Sequence, residues 1–173
     1  MKHFLYIITA LIITACSGPR VVYDYDTKYN FSEYKTYNYY PDLKTGLSQL
    51  DTDRLLKATD SVLKTKGFIK SDTPQIYVNF KSNKYQTPSR NGIGIGLGNG
   101  PVAIGGTIPV GGPDQHIQLT VDFVDVAKDE LIWQAEADDV QNSRQTPESR
   151  ADFFRVMMGK VLSKYPPKSF DKK

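Results

Sequence analysis

The chain has 173 residues, with 22 Lys and Arg against 19 Asp and Glu, which suits one compact domain behind a leader and a core that is stable without staples. So even a balance gives no electrostatic footprint for nucleic acid, and a single cysteine rules out a disulfide framework or a cysteine-built zinc site. Eleven tyrosines against one tryptophan favour strands with a wetted face over a helical bundle.

The first fifteen residues, MKHFLYIITALIITA, carry a basic start at Lys2 and His3, an apolar stretch over residues 4–13 and small residues before Cys16. Such a run is a secretory signal, too short for a membrane-spanning helix. Its end, ITAC, resembles a bacterial lipobox, which implies cleavage before Cys16 and lipidation of that residue. The bland alternative is an ordinary signal peptide with a chance cysteine. Lipidation would use up the chain's one thiol, and acyl chains at ~0.8 kcal/mol per buried methylene make a durable membrane anchor. Ser17 after the cysteine implies sorting to the outer membrane, and SGPRVV carries no acidic run of the kind that signals surface export. The expected layout is a signal peptide over 1–15, an anchor and tether over 16–20, one domain over 21–167 and a basic tail over 168–173. Losing Lys2 leaves 21 basic against 19 acidic residues, a net of +2.

Two strands are predicted in VVYDYDTKYNFSEYKTYNYY, around Val22 to Tyr25 and around Tyr37 and Tyr39, with a turn between them. Residues 48–66 change to helical spacing, with Leu55, Leu56, Thr59, Val62 and Leu63 in one stripe, Ser48 or Asp51 as cap, and Gly67 and Phe68 closing the end in a Schellman arrangement. QIYVNFKS then alternates as a half-buried strand, with Ile76, Val78 and Phe80 inward. The strongest strand follows the glycine run: Ile117, Leu119, Val121 and Phe123 share one face, and the parity slips near Phe123 to Asp125, which predicts a bulge. After a short turn, LIWQAEADDV is expected to return antiparallel with Leu131, Trp133, Ala135 and Ala137 inward. Thr146 as cap and Pro147 at the first position open a closing helix whose stripe is Phe154, Met158, Val161, Leu162 and Tyr165, stopping before Pro166. The Phe153, Phe154, Met157 and Met158 cluster reads as core rather than as a ligand pocket.

The order strand, strand, helix, strand, strand, strand, helix gives an α+β fold: a mainly antiparallel sheet with both helices on one face, a glycine-rich loop or hairpin inserted over 90–114, and a tyrosine-bearing face left partly open. On that reading Tyr37, Tyr39 and Tyr77 are candidate partner-binding residues.

Catalytic chemistry finds little purchase. After the leader only His116 remains as a histidine; a base partnered with Ser89, Thr107 or Asp114 is one reading and a surface histidine at the start of a strand is the simpler one. Asp24 with Asp26, and Asp122, Asp125, Asp138 and Asp139, are the carboxylate groupings that would suit calcium or acid-base work, though the spaced Asp-Gly loop of a calcium site is missing. No catalytic residue, metal or cofactor is expected.

The stretch NGIGIGLGNGPVAIGGTIPVGGP lacks the lysine and the helix start that a phosphate loop needs. Gly92, Ile93, Gly94, Ile95, Gly96, Leu97 and Gly98 instead alternate with period two, NGP can turn the chain, and VAIGGTIPV can return. A partner-docking edge, a membrane-inserting hairpin and a mobile linker are the three readings, and the nine glycines favour the linker. The arms are short for a membrane-crossing strand and carry no aromatic girdle.

Cys16, YDYDTKYNFSEYKTYNY, KGF at the end of the first helix, VDFVDVAKDELIW and a closing helix ending in YPP together resemble the bacterial lipoproteins grouped as domain of unknown function 4136. The resemblance implies an envelope location and an α+β fold. It carries no catalytic residues and no ligand, and AKDELIW lacks the glycine that such proteins usually have in that turn. The expected function is a non-enzymatic, membrane-anchored envelope lipoprotein that presents a surface to an envelope protein partner. Alternatives are an assembly or pore subunit that uses the 92–112 hairpin, and a hydrolase acting on an envelope polymer through paired aspartates.

Overall fold

In a computed structural model, the described residues are 18–88, 92–97, 104–109, 112–141 and 145–168. The signal, Cys16, Gly98 and most of the basic tail lie outside them. The elements are β1 (Arg20–Tyr25), a 3-10 turn (Phe31–Glu33), β2 (Thr36–Tyr39), α1 (Gln49–Thr65), β3 (Ile69–Lys70), β4 (Ile76–Thr87), β5 (Gly92–Leu97), β6 (Ile104–Pro109), β7 (Asp114–Asp125), β8 (Glu130–Gln141) and α2 (Pro147–Leu162). Six strands form one sheet in the order β1-β8-β7-β4-β2-β3, and β5 and β6 form a separate pair. The α+β expectation holds, with one refinement: the sheet is mixed, because β2 runs parallel to β3 and β4. The cause is the connection. The chain passes from β2 to β4 through α1, and a helical crossover returns the next strand in the same direction, as a tight turn cannot.

Both helices start and stop where the sequence provides for it. Ser48 accepts the Asp51 N–H at the head of α1, and Thr146 accepts the Ser149 N–H ahead of Pro147 in α2. At the end of α1, Gly67 takes φ 83°, and the Phe68 N–H reaches the Leu63 carbonyl at 3.0 Å, which turns the Phe68 ring back toward the core.

The helices lie side by side and run in the same direction. At their starts Arg150 of α2 grips Asp51 of α1 with Nε to Oδ1 at 3.0 Å and Nη2 to Oδ2 at 2.5 Å, and Arg54 adds a contact at 2.8 Å. At their ends Lys66 Nζ donates to the Tyr165 carbonyl at 2.8 Å. Their inner faces, Leu55, Leu63, Phe154, Met157, Met158 and Leu162, close over Ile76, Phe80, Leu119, Val121 and Trp133. Phe123, Trp133 and Tyr165 pack ring to ring, with centroids 4.7 to 5.4 Å apart. The Trp133 Nε1 and the Tyr165 hydroxyl are buried there with no hydrogen-bond partner.

Two placements differ from the expectation. Leu131 is 49% exposed and Ile132 is fully buried in its stead. The predicted bulge falls between Phe123 and Val124: Phe123 faces Trp133 while Val124 faces Leu131, so Ile132 is the extra residue and the parity of β8 flips before Trp133. Tyr37 and Tyr39 lie on the helix-covered face, not the open one, because β2 pairs Tyr37 with Ile76 and Tyr39 with Val78, both core-facing.

Asp51 is 1% exposed. Burial alone would raise its pKa, but the Arg150 hydrogen bonds and charge, with Arg54 and Ser48, outweigh it and hold the carboxyl below its usual 3.8. A lowered folded value contributes stability that is fully present above 3.8 and is lost as pH falls through the folded value. Asp51→Ala is expected to cost about 3 kcal/mol in urea unfolding at neutral pH, since it leaves two arginines facing an empty site. Asp51→Asn should flatten the acid limb of the stability curve. Tyr165→Phe is expected to leave stability unchanged or raise it by about 1 kcal/mol, because it removes a buried hydroxyl that has no partner.

Candidate functional site

The sheet register sorts the surface into an open face and two ends. On the open face, the side chains that alternate with the core residues of β4, β7 and β8 join across strands. Gln134 Nε2 donates to Asp122 Oδ1 at 2.7 Å, and Gln118 Nε2 donates to Glu136 Oε1 at 2.5 Å. Further along, Thr87 Oγ1 stands 3.1 Å from His116 Nε2, and His116 Nδ1 stands 2.9 Å from Asp138 Oδ1. The Tyr85 hydroxyl donates to the other oxygen of Asp138 at 2.5 Å, and its ring stacks on His116 at 4.8 Å. Hydroxyl, imidazole and carboxylate thus lie in the order that nucleophilic catalysis needs. Yet His116 is only 7% exposed and the carboxylate is shared with Tyr85, an arrangement that pins three strands together.

The expectation of a surface histidine at a strand entry fails, because His116 is buried between Thr87 and Asp138, 29 and 22 residues away; of the alternative partners, Ser89 and the Thr107 side chain lie outside the described residues. Once Tyr85 is known to face His116, the period-two alternation brings Thr87 alongside.

The far end of the sheet holds a groove of about 560 Å³ between the first turn and the β7–β8 turn, lined by Lys28, Tyr29, Tyr34, Gln75, Asp125 and Lys128 among others. Asp125, 7% exposed, accepts the Tyr34 hydroxyl at 2.6 Å and the Lys128 N–H at 2.9 Å. Lys128 places its ammonium 4.3 Å over the Tyr29 ring, and the Tyr29 hydroxyl bonds to Glu130, which pushes its pKa up to about 12. The sequence reading missed this groove, although the parity slip at Asp125 was its one visible sign.

The carboxylates that would have suited calcium or acid-base work stand apart. Asp24 and Asp26 accept the backbone N–H groups of Tyr25 and Lys28, Asp122 and Asp138 sit at separate rows of the open face, and Asp125 turns into the groove. Among the described residues no three His, Cys, Asp or Glu side chains are grouped to hold a metal.

Of the expected partner-binding tyrosines, Tyr37 and Tyr39 spend their hydroxyls on α1. Both donate to Asp60 Oδ1, at 2.7 and 2.5 Å, and Tyr39 also reaches the Leu56 carbonyl at 3.0 Å. Burial, then the bond to Asp60, pushes both hydroxyl pKa values upward. Tyr77 is half-buried on the open face, its ring 5.3 Å from Tyr40. Residues 92 to 97 form β5, antiparallel to β6, so these two stretches of the glycine run are paired strands where the glycine content favours a linker, and Gly98 lies outside the described residues.

Residues 21–167 match the family described as domain of unknown function DUF4136. The chain belongs to that family. No curated protein sequence matches it. Among solved structures, a PDZ domain protein from Parabacteroides distasonis is similar at 12% identity and a TM-score of 0.58, over 98% of this chain. The chain spans 41% of that protein's length. Two PelC dodecamers from Paraburkholderia phytofirmans align over 84% of this chain and 95% and 96% of theirs, at 10% and 11% identity and TM-scores of 0.48 and 0.49. At such identities the first likeness speaks to the fold alone, and membership of DUF4136 brings no activity with it.

Asp138→Ala leaves His116 and the Tyr85 hydroxyl without their shared acceptor, and is expected to cost about 1–3 kcal/mol in urea unfolding. Thr87→Val, which removes one hydroxyl at the rim of the same cluster, should cost less than about 1 kcal/mol.

Proposed function

We propose that this DUF4136 protein is a lipoprotein of the bacterial cell envelope, held in the outer membrane through acylated Cys16 and facing the periplasm, where it acts as a non-catalytic binding module. The observation that carries the reading is the coincidence of ITAC, the leader and the chain's one cysteine, four residues before β1 begins at Arg20. A tether of four residues reaches at most about 14 Å. Arg20 pairs with Asp138 near the end of β8, so the anchor is tied to the end of the sheet that holds Thr87 and Asp114. The groove around Asp125 and Lys128 lies at the opposite end, directed away from the membrane and open to an envelope partner.

A non-catalytic role is supported by how the polar groups are spent. The hydroxyl, imidazole and carboxylate of Thr87, His116 and Asp138 bond one another beneath Tyr85, and Asp24, Asp26 and Asp122 accept backbone or amide N–H groups.

Cell fractionation checks the anchor. The native protein is expected in the membrane pellet, with a mass raised by acyl chains and with residues 1–15 removed, and Cys16→Ala in the soluble fraction. A native protein that stays soluble, or an unmodified Cys16, would sink the reading.

A further inference from the structure

We infer that the β5–β6 hairpin is a membrane-contacting ribbon that lies in the interfacial layer of the leaflet holding the Cys16 acyl chains; the inference rests on the lipoprotein reading for its choice of leaflet. It starts from the register. Thr87 faces Asp114 at the end of the β4–β7 ladder, and Gly92 faces Pro109 at the start of the hairpin. Going from the first pair to the second advances five residues on one strand and retreats five on the other, so the two pairings keep matched offsets although β5 and β6 make a sheet of their own.

The hairpin is rooted at the anchored end, since β5 follows β4 and β6 precedes β7. Arg20 faces Asp138, Asp138 faces Gln118 and Gln118 faces Asn83, a row that lies four residues short of Thr87 on β4. Cys16 precedes Arg20 by the same four residues, so at about 3.3–3.6 Å per residue an extended tether brings the acylated residue level with the root of the hairpin.

The chemistry of the ribbon fits lipid headgroups and the outermost acyl carbons. No charged residue occurs over residues 91–113. Period-two pairing places Ile93, Ile95, Leu97, Ile104 and Ile108 at positions of one face, and Gly92, Gly94, Gly96 and Gly105 at positions of the other. Six-residue strands fall short of the ~9–11 that cross a bilayer. A two-stranded ribbon also leaves both outer edges unpaired, which hydrocarbon does not tolerate and the hydrated interface does.

The test uses the full-length protein, purified from membranes and reconstituted in phosphatidylcholine vesicles whose acyl chains carry bromine. Trp133, the chain's one tryptophan, is fully buried at the far end of the sheet and serves as an internal reference. In Ile95→Trp the added emission is expected to fall roughly twofold relative to unbrominated vesicles, as suits a group about 5–10 Å below the headgroup boundary. Leu97→Trp, at the same parity, should behave alike, while the native protein should stay unquenched. Unquenched Ile95→Trp and Leu97→Trp on protein that floats with the vesicles would overturn the inference and leave the anchor standing. Unquenched variants that cross-link into multimers would overturn it in favour of a second copy as the occupant. An unmodified Cys16 would sink the anchor alone, because quenching of whatever protein floats still reads the hairpin; protein that fails to float at all would sink both.

Discussion

The pairing of β4 with β7 is the constraint on which the molecule is built. It joins Ile76–Thr87 to Asp114–Asp125 over their whole length, and it sets which residues face the helices. Because side chains alternate, a slip of β4 by one residue would turn Ile76, Val78 and Phe80 away from the face that Leu119 and Val121 keep. β8 copies this register until the bulge at Phe123, and β1 copies β8. The His116 cluster and the hairpin root both follow from the same alignment.

Two parallel helices lying side by side bring like dipole ends together, which is unfavourable on its own. The residues at those ends offset it. Asp51 and Glu148 stand in the first turns, and Lys64 and Lys160 in the last. Asp51 does more than offset the dipole: by holding Arg150 it joins the two starts, so the crossover helix and the closing helix meet the sheet as one layer. Buried ion pairs are a weak source of net stability but fix alignment well, since neither charge tolerates a shifted partner.

Much of this was legible in the chain. Ser48, Gly67, Phe68, Thr146 and Pro147 mark helix ends through local chemistry, and the alternation in HIQLTVDF marks the strongest strand through period alone. What was not legible is partnership between distant segments. Nothing local tells that β1 pairs with β8, or that β2 lies parallel to β4, so Tyr37 and Tyr39 could be put on a strand but not on a face. Leu131 failed for a related reason: the bulge was expected in β7, but the extra residue sits in β8 and reverses its parity. Of the candidate surfaces, the hairpin was visible as a pattern, while the groove around Asp125 and the Thr87–His116–Asp138 line needed strand register to exist at all.

The place where β1 joins the tether also fixes how the domain bears load. β1 is an outer strand, bonded along one side only, to β8, and under the proposed anchoring through Cys16 its first residue is the one that takes the tether. A partner drawing on the distal groove would pull β1 along its own axis, so that its bonds to β8 are strained together and not opened one after another. Attached by the other end of the same strand, the domain would peel like a zipper from its edge. A tether entering at Arg20 would load this edge strand in shear, and its resistance would be set by the rate of cooperative rupture of the β1–β8 ladder rather than by the equilibrium stability of the fold.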